Sequence, residues 1–239
     1  MRDCTSVDGA RKEASLAHSP IGGHLPCGDL LLAEQLHRFN NELASAVSIL
    51  SRAAARSHSD EVKSTLAVVA ERLLACAEVN RALQIPANSV EIDAAAYIRG
   101  LCEAISRSKL ADKRIRLAFV DQPLRMNAVR CWRLGLAVSE LITNAVRHAF
   151  GEAGGLIRVE LVTSGPLVEC RVSDNGRAAM PTRPGRGLAI VESLVRTLEG
   201  SVEYVMGERG SAVVLAFARA ENAMPSRPAT IDISAVALH

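Results

Sequence analysis

Three stretches of the chain combine residue types and spacings that could do chemistry. In "EQLHRFNNEL" (34–43), His37 sits among charged and amide neighbours inside an Ala- and Leu-rich region. An imidazole with a reference pKa of about 6.5 is largely unprotonated near neutral pH and is then a nucleophile. In "SELITNAVRHAF", Glu140, Asn144 and His148 recur every four residues, which stacks them on one face of a helix. Leu136, Leu141, Ile142 and Ala145 supply the apolar side of that helix. In "VSDNG" and "RPGRGLAIVESL", Asp174 and Gly176 close a strand, and Gly185 and Gly187 open a helix. Free N–H groups at a helix N-terminus, with glycines that admit close approach, favour an anion. Each piece alone is ordinary: a polar helix stripe is often a solvated face, and a lone Gly-x-Gly is usually a turn.

The elements that must position these residues follow from periodicity. Leu32, Leu36, Phe39, Leu43, Ala46, Val47, Leu50 and Ala54 recur at three- and four-residue steps, the pattern of an amphipathic helix beginning near residue 28. "SHSD" (57–60) supplies a break and an N-cap, with Glu61 where the helix dipole favours an acid. A second helix runs through Val62, Leu66, Val69, Leu73, Ala77 and Leu83 and stops at Pro86. The two make an antiparallel hairpin that leaves apolar residues such as Leu31 and Ile49 uncovered. Pairing with a second hairpin in a dimeric four-helix bundle would cover them.

Beyond Pro86 the texture changes to α/β. "SVEIDAAAYIRGLCEAISRS" reads as a capped helix, "AVRCWRLGLAVSELITNAVRHAF" as a long helix, and "GLAIVESLVRTLEG" as a helix ending at Gly200. "IRLAFV", "LIRVELV", "LVECRVSD" and "SAVVLAFA" read as strands of a mixed sheet. The expected division is a leader over 1–27, the hairpin over 28–85, the α/β sandwich over 86–220 and a tail over 221–239.

Composition excludes several classes. Twenty-eight basic against 26 acidic residues leave a net charge of +2, too weak a field to suggest nucleic acid or an anionic membrane. Six cysteines without a C-x-x-C pair suggest neither zinc nor a disulfide framework; they read as small buried hydrophobes, and a reducing cytoplasm is the expected compartment. No apolar run approaches the roughly 20 residues needed to span a bilayer. Trp132, the sole tryptophan, is expected in the core or an interface.

In combination and order the motifs become specific. Glu-x-x-x-Asn on a helix, a strand ending in Asp-x-Gly, Gly-x-Gly opening a helix and Gly210 before a final strand closely resemble the Bergerat-type ATP-binding domain of the GHKL superfamily. "LGLAVSELITNAVRHAF" resembles its histidine-kinase version, over about residues 90–218. "LHRFNNEL" resembles the His-Arg-x-x-Asn phosphoacceptor box of the subfamily related to HWE kinases. The Trp-x-Glu signature of HWE proper is absent, and Ser139 precedes Glu140, so the resemblance is to a sister group.

That resemblance implies a histidine kinase that phosphorylates His37 from Mg-ATP and passes the phosphate to an aspartate of a response regulator. Asn144 would coordinate Mg²⁺ between the phosphates, and Glu140 would hold a metal-bound water or act as base. Asp174 would accept the adenine amino N–H, where guanine offers an acceptor instead. Gly176, Gly185 and Gly187 would let the lid and helix wrap the nucleotide, and His148 and Arg147 would neutralise phosphate charge. Arg38 follows His37 where many such kinases have an acid; it would steady the phosphoryl group, with Glu34 and Asn41 as orienters. The expected partners are a second copy, a receiver domain and an upstream sensory protein, because 27 residues cannot fold as a sensor. Two departures, Ala178 after the Asp-x-Gly and a short stretch 177–184, sustain an alternative: a phosphotransferase relaying phosphate through a weak ATP site. A third reading is a serine kinase or binding module of the same ATP fold, which would have no use for the hairpin.

Overall fold

A computed structural model of the chain describes residues 27–85, 90–110, 112–176, 186–207 and 210–219. The expected leader, the tail, Gly185 and the 177–184 stretch lie outside the described residues, apart from Cys27 at the leader's end.

Helix α1 (Cys27–Arg56) and helix α2 (Asp60–Ala82) form the hairpin. Ser59 caps α2 as its sequence suggests, with Oγ accepting from Val62 N at 3.4 Å. The hairpin's interior is thin: Leu43, Val79 and Leu83 are its buried apolar residues. Leu31, Phe39, Ile49, Val68 and Leu74 are each more than half exposed, so the amphipathic pattern of these helices exceeds what one chain buries.

The second region is a two-layer α/β sandwich. A five-stranded sheet of order β2-β4-β5-β7-β6 carries β2 (Ile115–Asp121), β4 (Gly155–Ser164), β5 (Leu167–Asp174), β6 (Ser201–Gly207) and β7 (Gly210–Ala218). β2 and β4 are parallel; the remaining pairs are antiparallel. Alternation sets the layers. Ile157, Val159 and Leu161 of β4, Val168, Cys170 and Val172 of β5, and Val213, Leu215 and Phe217 of β7 are all buried. Register aligns them in rows such as Leu161, Cys170 and Leu215, so they share one face. Helices α3 (Ala94–Ile105), α4 (Ala128–His148) and α5 (Arg186–Thr197) pack on that face through residues such as Ile98, Leu134, Ile142 and Val191.

Three short features depart from the pattern read in the sequence. Glu91–Asp93 is a strand (β1) paired antiparallel with Arg125–Asn127 (β3), and the helix expected from Ser89 starts only after Asp93, whose carboxylate accepts from Ala96 N at 3.0 Å. α3 gives way to a π-helical turn at Ser106–Leu110. α5 ends at Thr197, and it is Glu199, not Gly200, that takes the left-handed conformation with φ of 57°. Gly200 N closes the cap on Val195 O at 3.0 Å, and a Cβ on Gly200 would lie 2.5 Å from Ala216 O. That glycine is required by contact with β7 and not by its own φ.

The two regions are joined. The Trp132 indole donates to Leu83 O at 2.7 Å, and Arg133 pairs with Asp29 at the start of α1, both side chains mostly buried. Trp132 is fully buried, as its sequence context suggests. Cys102, Cys131 and Cys170 are likewise buried, whereas Cys76 on α2 is exposed, against the expectation for all six. Cys76 sits on a hairpin face that no sheet covers.

Candidate nucleotide site

The site is built along α4. Asn127 caps this helix, its side chain accepting from Val129 N at 2.9 Å and Arg130 N at 3.3 Å. Trp132, Leu134, Val138, Leu141 and Ile142 bury one side against the sheet and neighbouring helices. The helical period then leaves Glu140 and Asn144 half-buried on another side, with Arg147 and His148 exposed one turn on.

The first turn of α5 meets that polar face at Gly187. A Cβ there would fall 2.2 Å from Glu140 Oε1 and 2.9 Å from Asn144 Nδ2, so any larger residue would push both side chains aside. Leu188, Val191 and Val195, buried on α5, hold the approach. A carboxylate, an amide and the first turn of a helix thus converge, and a helix start is an end of partial positive charge.

The C-terminal end of α4, just past Asn144, meets the second cluster. The Asp174 carboxylate accepts from Gly176 N through Oδ1 at 2.9 Å and from the Ser211 hydroxyl through Oδ2 at 2.5 Å. Asn175 is fixed to β4 by two bonds: its N–H to Leu156 O at 3.2 Å, and Leu156 N to its Oδ1 at 2.7 Å. Gly176 passes so close to the end of α4 that a Cβ would lie 2.0 Å from Ala149 O. Gly210, with φ of 135°, brings β7 against Asp174 O in the same way, 1.9 Å from a built Cβ. Asp174 is held at the rim by a network of backbone and hydroxyl donors.

Ser211 went unnoticed in the sequence. A serine after glycine carries little signal, and only the Asp174↔Ser211 register of β5 and β7 brings residues 37 apart in the chain together.

Among the described residues no group of three or more His, Cys, Asp or Glu is placed to hold a metal ion. Glu140 and Asn144 supply oxygens of the hard type that Mg²⁺ prefers, in a number that suits an ion completing its shell with phosphate oxygens and water. The donor set fits an ion that would arrive with a nucleotide.

His37 is separate from these groups. It is exposed on α1, and among the described residues no hydrogen bond or ion pair joins it to α4 or α5. Arg38 Nε donates to Glu34 Oε1 at 2.8 Å. That bond, with the charge of Arg38 and a smaller contribution from His37, holds the Glu34 carboxyl below its ordinary range. Glu34, expected to orient His37, is engaged by Arg38 instead. Asn41 is exposed beside it.

Residues 41–217 match the family model described as histidine kinase-like ATPase domain. The match spans well over half of the 239 residues, and the chain belongs to that family. Among curated relatives, the blue-light-activated histidine kinase 2 of Erythrobacter litoralis is 30% identical over 199 residues, 77% of this chain and 56% of the relative. The sensor histidine kinase PdtaS of Mycobacterium tuberculosis is 27% identical over 209 residues, 78% of this chain and 39% of the relative. The chain thus spans about half or less of the length of these kinases. A shorter stretch of 44 residues is 57% identical to the serine-protein kinase RsbW of Listeria monocytogenes, 18% of this chain and 28% of that one. Among solved structures, the histidine kinase domain of the Erythrobacter litoralis EL346 blue-light activated kinase superposes with a TM-score of 0.53 at 20% identity, covering 73% of this chain and 95% of that one. A bacterial phosphotransferase superposes with a TM-score of 0.55 at 13% identity, covering 81% and 98%. These likenesses establish a shared fold. No described helix is long and apolar enough to cross a membrane.

Proposed function

We propose that the chain is a protein histidine kinase that phosphorylates His37 from Mg-ATP and transfers the phosphoryl group to an aspartate of a response regulator. The observation that carries this reading is the meeting of Glu140, Asn144 and Gly187 on the C-terminal half of α4, with Asp174, Gly176 and Ser211 fixed just beyond its last turn, in a chain that also exposes an imidazole on a helical hairpin. Phosphoryl transfer needs positioning and charge neutralisation more than covalent participation, and this layout provides both.

The roles follow. Asp174 selects adenine through its amino group. Asn144 would hold Mg²⁺, which would supply charge neutralisation, and Glu140 would hold a metal-bound water or act as base. Gly187 brings the start of α5 against the phosphates, with His148 beside them. The His37 imidazole attacks the γ-phosphorus, the N–P bond forms as the bond to ADP breaks, and the ring proton leaves to water or to Glu140. Arg38 steadies the phosphoryl group. Residues 28–85 act as the dimerisation and phosphotransfer unit and 86–220 as the catalytic unit. The exposed Leu31, Phe39, Ile49, Val68 and Leu74 support a second copy completing a four-helix bundle. The protein works in the cytoplasm, taking input from an upstream sensory protein.

The short identity to RsbW favours a serine-kinase reading of the nucleotide site. That reading leaves an exposed histidine and an uncovered apolar hairpin without a use. One experiment separates the readings: incubation with γ-labelled ATP and Mg²⁺ beside His37→Gln and Asn144→Ala, with acid and base lability of the label. Acid-labile label lost in both variants is expected. Acid-stable label on serine, or label undiminished in His37→Gln, would overturn the proposal.

A further inference from the structure

We propose that Lys109, in the π-helical turn after α3, is a further phosphate-binding residue of the nucleotide site, paired with Arg147 to receive the terminal phosphates of ATP. The inference rests on the nucleotide reading above and adds a residue from an element that reading does not use.

Lys109 Nζ donates to Thr143 Oγ1 at 2.7 Å. Thr143 lies on α4 three residues after Glu140, directly before Asn144 and four before Arg147, so Nζ sits at the edge of the polar face that Gly187 approaches. The lysine is half-buried, and among the described residues the bond to Thr143 is the one its ammonium makes. An ammonium carries three donors, so two remain to be met.

The charges around it are unbalanced. Burial and the nearby Arg147 hold the Lys109 ammonium below its ordinary range, while Glu140 works in the opposite direction. The carboxylate that favours this charge, Glu140, is set against a second cation, Arg147. An anion placed between Lys109 and Arg147 removes their repulsion, and the terminal phosphates of a nucleotide held by Asn144 are such an anion.

The turn is built to hold this position. Leu110 is buried, Arg107 Nε reaches Glu78 Oε2 on α2 at 3.2 Å, and Ser108 lies against Cys76. The extra residue of a π turn rotates the side chains that follow away from the direction α3 would have given them, a device frequent at functional sites. Continued as an α-helix, the segment would carry Lys109 to another azimuth.

The alternative is a structural tie: Lys109 fastens the turn to α4 and touches no ligand. Affinity for a graded set of ligands separates the two. In the full chain, with Mg²⁺, displacement of a fluorescent trinitrophenyl nucleotide by ATP, ADP and adenosine is measured for the parent, Lys109→Gln, Lys109→Arg and Thr143→Val. Lys109→Gln is expected to weaken ATP by about tenfold, the scale of one charge-assisted hydrogen bond, ADP by less and adenosine not at all. Lys109→Arg should recover most of the loss, and Thr143→Val should show a smaller loss with the same ligand order. Equal weakening of all three ligands, or unchanged ATP affinity, would overturn the assignment. If Lys109→Gln does not fold, the Arg and Val variants carry the same comparison. A parent that binds ATP and labels His37 alongside an unaffected Lys109→Gln removes only the Lys109 assignment; a parent that binds no nucleotide removes both proposals.

Discussion

Gly187→Ala separates folding from nucleotide binding more sharply than any other single change in the site. The added methyl would lie 2.2 Å from Glu140 Oε1 and 2.9 Å from Asn144 Nδ2. Carbon prefers non-bonded neighbours about 3.5 Å away, so the carboxylate must retreat by roughly 1 Å and the amide by about half that. Both are tips of half-buried side chains that can rotate, so the strain belongs at the low end of the overpacking range, about 1 kcal/mol. For a unit of this size that lowers Tm by about 3 °C. The functional cost is larger, because the displaced side chains are the proposed Mg²⁺-holding Asn144 and the proposed base Glu140, and a displacement near 1 Å at reacting groups can cost about a hundredfold in rate. Gly176→Ala is the control, since its methyl would meet the backbone carbonyl of Ala149 at 2.0 Å, where no rotamer gives relief. Its cost should reach roughly 3 kcal/mol or more. Thermal denaturation followed by circular dichroism, with nucleotide displacement and γ-label incorporation on the same preparations, measures each part. A Gly187→Ala protein that keeps parental labelling would refute the claim that α5 must contact Glu140 and Asn144 for function. A Gly176→Ala protein as stable as the parent would refute the packing argument at Ala149.

Three further outcomes are expected. Ser211→Ala removes one of two donors to the Asp174 carboxylate and should weaken ATP and adenosine alike by about threefold to tenfold, read by nucleotide displacement; a loss confined to ATP would place Ser211 on the phosphates instead. Trp132→Phe strands the Leu83 carbonyl and leaves a void at a fully buried site, so urea midpoints should fall by the equivalent of about 2 kcal/mol, and unchanged midpoints would mean the link between hairpin and sandwich is dispensable. Burial raises the Cys102 and Cys131 thiols to about 12 and pushes Cys170 up as well, so at pH 8 all three stay protonated; mass mapping with iodoacetamide should label exposed Cys76 and spare these three until denaturant is added.

Long elements were legible in the sequence because one periodicity governed each. The three- and four-residue recurrence from Leu32 to Ala54 produces α1, and the Ser59 cap begins α2 where the sequence places it. Four strands of the main sheet show the alternation or apolar runs that a one-sided core imposes. β6 escaped notice because it is an edge strand, "SVEYVMG", in which Val202 and Tyr204 are the described side chains that pack on the core. β1 and β3 are three residues each, too short for any period to register. Glu199 took the left-handed position that a glycine was expected to fill, because Gly200 was already required where β7 passes.

The site divided along the same physical line. Glu140, Asn144 and Gly187 were readable because helical spacing and a glycine before a helix are local signals, and folding brings them within contact of one another. Ser211 and Lys109 were not, because each reaches its partner through a non-local feature: sheet register for one, a π turn for the other. That asymmetry bears on regulation. The π turn holding Lys109 contacts α2 through Arg107 and Ser108, and the Trp132 and Arg133 contacts reach Leu83 and Asp29, so the hairpin and the polar face of α4 are linked through several short side-chain bridges. Among these the Arg107–Glu78 pair is largely exposed and worth little by itself, whereas the Arg133–Asp29 pair is mostly buried and costly to break. The firmer ties between hairpin and sandwich are therefore those at Trp132 and Arg133, and the tie at the Lys109 turn is the weaker.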